Sequence, residues 1–198
     1  MGLSFHYNGE ISDAGRLPEL IEEVKEIVSV YQWKFNVFES SFPNNRLTEE
    51  KEYTDTIYGI CFTPPGSETV FISFLSNGKM SSPNNLEFFG KKATQVEQSY
   101  LYMLSVKTQY STQLIHATII QLFRHISAKY LSNFNLSDEG EYWETNDENV
   151  LKQNFDRYTS LIDNFALGLE TLPINTNESY EQYFQRIMDI VAKHQNKK

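Results

Sequence analysis

Residues 137–145, with the sequence SDEGEYWET, place four carboxylates in one short segment and are the first candidate for chemistry. Carboxylates can bind a hard cation or act together as a general acid and base. A calcium loop of the EF-hand type needs oxygen ligands at alternate positions, but here Tyr142 and Trp143 occupy ligand positions. Negative charge ahead of a helix also stabilises that helix, by about 0.3–1 kcal/mol per charge. The segment is therefore either a functional loop or an acidic lead-in to the next helix.

His125 is the histidine that could work with this acidic segment. It lies in the penultimate turn of a predicted helix that ends near Leu131, a few residues before Asp138. A histidine beside a carboxylate can act as an acid/base group or as a metal ligand. If the protein is an enzyme, we expect His125, Asp138 and Glu139 to be catalytic. His116 lies nine residues earlier, on the opposite side of the same helix, and is expected at the edge of the core.

Lys107 and Thr108 form a second candidate site, where a predicted strand passes into that helix. A lysine beside the free N–H groups of a helix start can hold a phosphate or a carboxylate. The simpler interpretation is that Thr108 or Ser111 caps the helix. Tyr142 and Trp143 could also contact a ligand, or they could anchor the acidic segment on the core. These four residues, Lys107, Thr108, Tyr142 and Trp143, are the predicted ligand-binding positions.

Common catalytic and nucleotide-binding motifs are missing from the sequence. There is no glycine-rich phosphate loop, no G-x-S-x-G elbow and no H-E-x-x-H helix. Cys61 is the single cysteine, which excludes an internal disulfide and a cysteine-based zinc site. It shares a predicted strand face with Ile57 and Gly59, so we expect a small buried side chain. We predict neither a bound metal nor a cofactor.

Charge and hydropathy limit the classes of partner. The formal net charge is −9, and beyond the terminal NKK the chain has no extended cluster of Lys and Arg. Nucleic-acid-binding proteins need a basic surface to neutralise phosphates, so we expect neither nucleic acid nor an anionic membrane as a partner. The sequence shows no signal-peptide pattern and no apolar run of about 18 residues. We therefore expect a cytoplasmic protein.

Apolar periodicity predicts the elements that must position these residues. Alternation predicts strands at 3–7, 33–40, 56–63, 68–76 and 99–107, and helical spacing predicts helices at 17–31 and 112–131. Pro65-Gly66 favours a type II turn, and Asn77-Gly78 favours a hairpin.

Two further helices are predicted in the last third of the chain. The first follows Thr145, which forms a capping box with Glu148. Its apolar stripe consists of Leu151, Phe155, Tyr158, Ile162, Phe165 and Leu169. The second carries Tyr180, Tyr183, Phe184, Ile187 and Val191 on one face.

This order of elements predicts an α+β fold, in which helices cover one face of an antiparallel meander sheet. The order strand, helix, four strands, helix resembles the topology of TATA-binding-protein-like folds. The DNA binding of those folds is not expected here, because the charge of this chain is unsuitable. We predict one domain over residues 1–198, in which 1–132 form the sheet with two helices and 133–198 form a helical extension.

Three functions are compatible with the sequence. The leading interpretation is a non-enzymatic binding module with an acidic, tyrosine-rich surface for a basic protein or a small ligand, since opposite charge steers association. The tyrosines considered are Tyr53, Tyr58, Tyr100, Tyr102 and Tyr110. The alternative is a metal-dependent or acid/base enzyme that uses His125, Asp138 and Glu139, with Lys107 holding an anionic group of the substrate. A homo-oligomer, formed through an open sheet face or the C-terminal helices, is the third possibility.

Overall fold

The computed structural model of the protein describes residues 3–49, 51–91 and 93–195, with side chains described as far as residue 191. Its strands are β1 (Ser4–Ile11), β2 (Lys34–Val37), β3 (Tyr58–Thr63), β4 (Val70–Phe74), β5 (Leu104–Lys107) and β6 (Leu131–Asp138). Its α-helices are α1 (Leu17–Val30), α2 (Pro83–Phe89), α3 (Gln113–Tyr130), α4 (Tyr142–Thr145), α5 (Glu148–Thr171) and α6 (Tyr180–Gln195). The predicted α+β class is confirmed.

The strands form two antiparallel sheets, with the orders β5-β1-β6 and β2-β3-β4. The prediction of one meander sheet is therefore wrong. The chain returns from β4 through residues 78–80, and this segment hydrogen-bonds to the second half of β1, from Met80 N–H to Gly9 O (2.9 Å) and from Ile11 N–H to Gly78 O (2.9 Å). Because this segment lies between β1 and β4, it joins the two sheets at one end.

Both predicted turns are confirmed. Gly66 has a φ of 69°, and Ser67 N–H donates to Pro64 O at 3.2 Å, as the third residue of a type II turn requires. Gly78 has a φ of 81°, and its N–H donates to Leu75 O at 2.9 Å. Glycine adopts such backbone angles at little cost because it has no Cβ.

The two long helices of the first two thirds of the chain are also confirmed. In α1 the spacing of apolar residues buries one stripe, which consists of Leu17, Leu20, Ile21, Val24 and Val28. The α3 helix begins after Thr112, whose hydroxyl accepts a hydrogen bond from Ile115 N–H at 3.2 Å. The cap is therefore Thr112 and neither Thr108 nor Ser111.

Other local predictions are wrong. Residues 131–138 form strand β6, where a short connection between two helices was expected at the start of the C-terminal extension, because Leu131 turns directly from helix to extended backbone. Of the predicted strand 99–107 only Leu104–Lys107 is a strand, since a 3-10 helix occupies Glu97–Tyr100. The α5 helix is capped by Asp147, which accepts Asn149 N–H at 2.8 Å, and not by a capping box at Thr145.

The main core lies between the inner faces of the two sheets and the helices α1, α3 and the first half of α5. Phe5 and Tyr7 of β1 contact Phe123 of α3, with ring centroids 5.8 and 4.6 Å apart. A second apolar cluster is formed by Tyr53, Ile57, Leu75 and Leu101. A third cluster joins α5 to α6 around Tyr183, Ile187 and Val191.

Candidate functional site

A buried hydrogen-bonded chain links Thr108, His116 and Asp138. Thr108 Oγ1 lies 2.7 Å from His116 Nδ1, and His116 Nε2 lies 3.0 Å from Asp138 Oδ1. An ionised carboxylate can only accept, so His116 donates through Nε2. The side chains of His116 and Asp138 are both fully buried.

The Asp138 carboxylate also receives main-chain hydrogen bonds from the turn that follows it. Gly140 N–H donates to Oδ1 at 2.7 Å, and the N–H groups of Tyr142 and Trp143 donate to Oδ2 at 2.9 and 3.1 Å. Burial opposes ionisation of the carboxyl, but the hydrogen bonds from His116 and from the main chain outweigh it and lower the pKa of Asp138. Asp138 is thus held as a carboxylate whose acceptor positions are occupied.

The β6 strand explains why Asp138 contacts His116. The chain leaves the end of α3 and runs back antiparallel to β1, so Asp138 lies opposite Phe5 and returns to the level of the start of α3. The rings of Phe5 and Phe155 contact His116 edge-on at 5.9 and 5.7 Å. A Cβ at Gly140 would lie 3.0 Å from His116 Nε2, so the turn packs closely on the imidazole. This arrangement connects the end of β5, through Thr108, and the end of β6, through Asp138, to α3. Phe155 adds a contact with α5.

His125 lies elsewhere, and the predicted contact between His125 and the acidic segment is wrong. Its Nε2 is 2.5 Å from Glu23 Oε1 on α1. The prediction treated residues 132–137 as a short connection, whereas these residues form an extended strand that leads away from His125. His125 and Asp138 therefore belong to separate hydrogen-bonded groups.

Glu23 is the centre of the second group. It accepts hydrogen bonds from Lys129 Nζ at 2.8 Å and from the Tyr130 hydroxyl, in addition to His125. Partial burial of the carboxyl raises its pKa, but these three hydrogen bonds together lower the pKa of Glu23 to about 2. Arg16 stacks on the Tyr130 ring at 4.6 Å. This group ties α1 to the C-terminal end of α3.

The side chains of Glu139 and Glu144 also bind main-chain groups, whereas Lys107 is bonded through its own main chain. Glu139 Oε2 accepts Ser4 N–H at 2.7 Å, and Glu144 Oε1 accepts Asp138 N–H at 3.1 Å. Lys107 N–H donates to Glu68 Oε2 at 2.8 Å, while Lys107 O accepts Glu68 N–H at 3.0 Å. The structure places Lys107 next to Thr108 but separates it from His125.

Tyr142 and Trp143 anchor the acidic segment on α3. The Tyr142 ring is buried, and its hydroxyl accepts a hydrogen bond from Gln121 Nε2 at 3.1 Å. Arg124 stacks on the Trp143 ring at 4.9 Å and donates to the Tyr142 carbonyl at 3.0 Å. These contacts are those of the anchoring interpretation of Tyr142 and Trp143, and a ligand-binding role of the two residues stays a prediction.

The tyrosines proposed for a binding surface do not share one surface. Tyr53 and Tyr58 are buried, Tyr102 is partly buried, and Tyr100 and Tyr110 are exposed. Cys61 is half-buried, and burial raises the pKa of its thiol.

The outer face of the β5-β1-β6 sheet carries a shallow groove of about 350 Å³. Its side chains are mostly neutral and polar, and they include His6, Asn8, Ser105, Asn135 and Ser137. A second groove, of about 540 Å³, lies where β5 separates from β4. These grooves provide hydrogen-bonding groups but bring no buried charge together.

The α5 and α6 helices form an arm, defined here as residues 160–191. The first half of α5 buries Leu151 and Phe155 in the main core, whereas the third cluster begins at Leu161. In the arm Phe165 is half-buried, and Leu169 and Phe184 are 40% and 44% exposed. The apolar stripe of α5 thus continues beyond the part that the main core covers.

His116 is a partner of Asp138 that the sequence-based prediction does not include. Two signals point to it. His116 lies seven residues before the buried Phe123, and thus on the same face of α3. Asp138 precedes Gly140 by two residues, the spacing of a turn in which an Asp side chain caps main-chain N–H groups.

Comparison with known proteins gave no match to this chain among protein families, curated proteins or solved structures. Within residues 3–49, 51–91 and 93–195, no group of three or more His, Cys, Asp or Glu side chains could hold a metal ion. In the same part of the chain, no helix is long and apolar enough to cross a membrane.

Proposed function

We propose that the protein is a non-enzymatic binding module that docks a basic protein partner on the arm. The observation that carries this proposal is the apolar stripe of α5 that continues past the main core and remains half-exposed. Large exposed apolar patches rimmed by polar residues are typical of protein interaction sites.

The stripe has the composition of a docking surface. Phe165 of α5 and Phe184 of α6 stack with ring centroids 6.3 Å apart. Tyr180 and Leu169 are further exposed apolar side chains of the arm, at 72% and 40%. Aromatic side chains dominate the binding energy of many interfaces because they bury a large area with few rotatable bonds.

The charge of the arm favours a basic partner. Residues 160–191 contain five acidic residues, Asp163, Glu170, Glu178, Glu181 and Asp189, and one basic residue, Arg186. Arg186 pairs with Glu178 at 2.8 Å. The other four carboxylates lie on the same two helices as these apolar side chains and would steer a positively charged partner towards the arm.

The geometry of the acidic segment also favours binding over catalysis. Asp138, one of the two carboxylates proposed for catalysis, has a fully buried side chain, and its oxygens accept hydrogen bonds from His116 and from three main-chain N–H groups. His125 lies on the other side of α3, against Glu23. Neither residue needs a substrate to satisfy its hydrogen bonds.

The test is native mass spectrometry of the protein recovered gently from its own cytosol, with metal analysis of the same sample. We expect a stoichiometric protein partner rich in Lys and Arg, which is lost on Phe184→Asp and weakened by added salt. Tyr110→Asp, at a 74% exposed tyrosine outside the arm, is the matched control and should retain the partner. Loss of the partner from both variants, or recovery of a bound metal and no protein, would refute the proposal.

A further inference from the structure

The outer edge of the β2-β3-β4 sheet offers main-chain hydrogen-bonding groups to a second strand. β2 ends the sheet, and all four of its residues are exposed. Exposed strand edges can template the addition of another strand, and charge is one of the features that protect them. The one charged residue of β2, Lys34, directs its main-chain groups towards β3, in register with Thr63. Which groups point outward follows from the register of the three strands.

Phe71 of β4 shows which main-chain groups point towards which neighbouring strand. Its N–H donates to the Tyr7 hydroxyl and its carbonyl accepts from that hydroxyl, so both groups point away from β3. Phe71 and its partner Cys61 are therefore a non-hydrogen-bonded pair. The main-chain groups of Cys61 consequently point towards β2.

On β2, Asn36 lies opposite Cys61, and its main-chain groups point towards β3. The neighbouring Phe38 N–H donates to Gly59 O at 2.9 Å, as the same alternation requires. The N–H and carbonyl groups of Phe35 and Val37 therefore point outward from the sheet. Beyond them, Trp33 N–H is already donated to Val28 O at 3.0 Å.

We infer that two copies of this chain pair antiparallel through β2 about a two-fold axis. In the register that uses all the outward groups, Phe35 of each copy lies opposite Val37 of the other. Asn36 of one copy then lies opposite Asn36 of the other. Each Phe35–Val37 pair exchanges two main-chain hydrogen bonds, and the result is one continuous six-stranded sheet. A second copy is the fitting partner because the outward groups complement themselves under this symmetry.

Apolar side chains beside the edge support the same partner. Phe35 and Val37 are 40% and 36% exposed, and both lie on the face of β2 that continues the core. Tyr31, at the end of α1, stacks on Trp33 at 4.8 Å and is itself 49% exposed. In the proposed pair Phe35 packs across the axis on Val37, which removes apolar surface of both copies from water.

Disulfide trapping tests the register. Cys61 is first replaced by Ser, because it lies opposite Asn36 on β3 and could compete. Asn36→Cys then places two thiols across the axis at a non-hydrogen-bonded pair, with Cα atoms about 4.5 Å apart. Lys34→Cys in the same background is the control, since its two copies are offset by about 13 Å along the strand. We expect a covalent dimer from Asn36→Cys in roughly tenfold higher yield than from Lys34→Cys under mild oxidation.

A proline substitution tests the hydrogen bonds without a disulfide. Val37→Pro removes an N–H that points outward, so the pairing of β2 with β3 should survive. Sedimentation should show a concentration-dependent dimer for the unmodified chain and for Val37→Ala, and a monomer for Val37→Pro with unchanged circular dichroism. A monomer at every concentration, equal cross-linking at both cysteine positions, or a dimer lost only on Phe184→Asp would each overturn the inference. The last outcome would assign the dimer to the arm.

Discussion

The hydroxyl of Tyr7 occupies the place of a neighbouring strand beside Phe71. It donates to Phe71 O at 2.8 Å and accepts Phe71 N–H at 3.1 Å, so one side chain satisfies both main-chain groups. This contact lies where β5 and β4 diverge. Burial raises the pKa of Tyr7 above its ordinary value, so the phenol remains protonated and able to donate.

Tyr7→Phe should destabilise the fold because it leaves the N–H and carbonyl of Phe71 without their partner. We expect the free energy of unfolding to fall by about 1–3 kcal/mol in urea denaturation. Tyr110→Phe removes a hydroxyl from a largely exposed ring and should leave stability within about 0.5 kcal/mol. Equal stability of the two variants would mean that Phe71 finds another partner.

Asp138→Asn should disrupt the buried network because the amide introduces N–H donors where four donors already converge. We expect a loss of about 1–3 kcal/mol in the free energy of unfolding. Thermal and urea denaturation would measure it, with Asp163→Asn on the exposed face of the arm as control. A neutral effect of Asp138→Asn would show that the carboxylate is not needed.

Gly140→Ala should perturb the same network through sterics. A Cβ there would meet Leu151 Cδ1 at 2.8 Å and His116 Nε2 at 3.0 Å, both in the interior. We expect a destabilisation of about 1–3 kcal/mol, typical of overpacking. At Gly15 a Cβ would meet only the Asp13 carboxylate, at 3.3 Å, so Gly15→Ala should have little effect. If Gly140→Ala and Gly15→Ala have the same melting temperature, the turn at Gly140 is less tightly packed than these distances indicate.

Glu23 should contribute to the acid sensitivity of the fold. Its pKa is lowered from 4.5 to about 2, so the folded state binds its proton less readily than the unfolded state does. The resulting stabilisation is fully present above pH about 4.5 and is lost as the pH falls towards 2. Urea denaturation at several pH values gives the free energy of unfolding as a function of pH. Between pH about 4.5 and 2 this free energy should change less with pH for Glu23→Gln than for the unmodified protein.

Glu22→Gln is the matched control for that measurement. Glu22 is exposed on α1 and pairs with Lys25 at 3.1 Å, an arrangement that contributes little to stability. The free energy of unfolding of Glu22→Gln should change with pH as it does for the unmodified protein. If Glu23→Gln also follows it, the contacts with His125, Lys129 and Tyr130 do not influence the pH dependence.

Elements with strong local signals could be predicted from the sequence. The apolar stripes of α1 and α3 and the glycines at 66 and 78 act over a few residues, and the structure confirms them. The same holds for the α+β class, since it follows from the order of the elements.

Long-range pairings could not be predicted in this way. β6 was missed because Asn and Ser fill its outer positions and because no turn separates it from α3. Its omission led to the mistaken contact of His125 with Asp138, since the path of residues 131–138 decides which end of α3 Asp138 reaches. The partner of Asp138 depends on pairing between β6 and β1, which are far apart in the sequence.

The central position of β1 has a consequence for the order in which the protein can fold during synthesis. Ser4 pairs with Lys107, and Phe5 pairs with Asp138, so neither pair can form until the later residue has been synthesised. At a ribosomal rate of about 5–20 residues per second, β1 leaves the ribosome several seconds before its neighbours. Phe5, whose partners are Val106 and Asp138, lacks both neighbouring strands throughout that interval. We therefore expect the nascent chain to depend on chaperones until β6 has emerged, and closure of the β5-β1-β6 sheet to be a late and slow step.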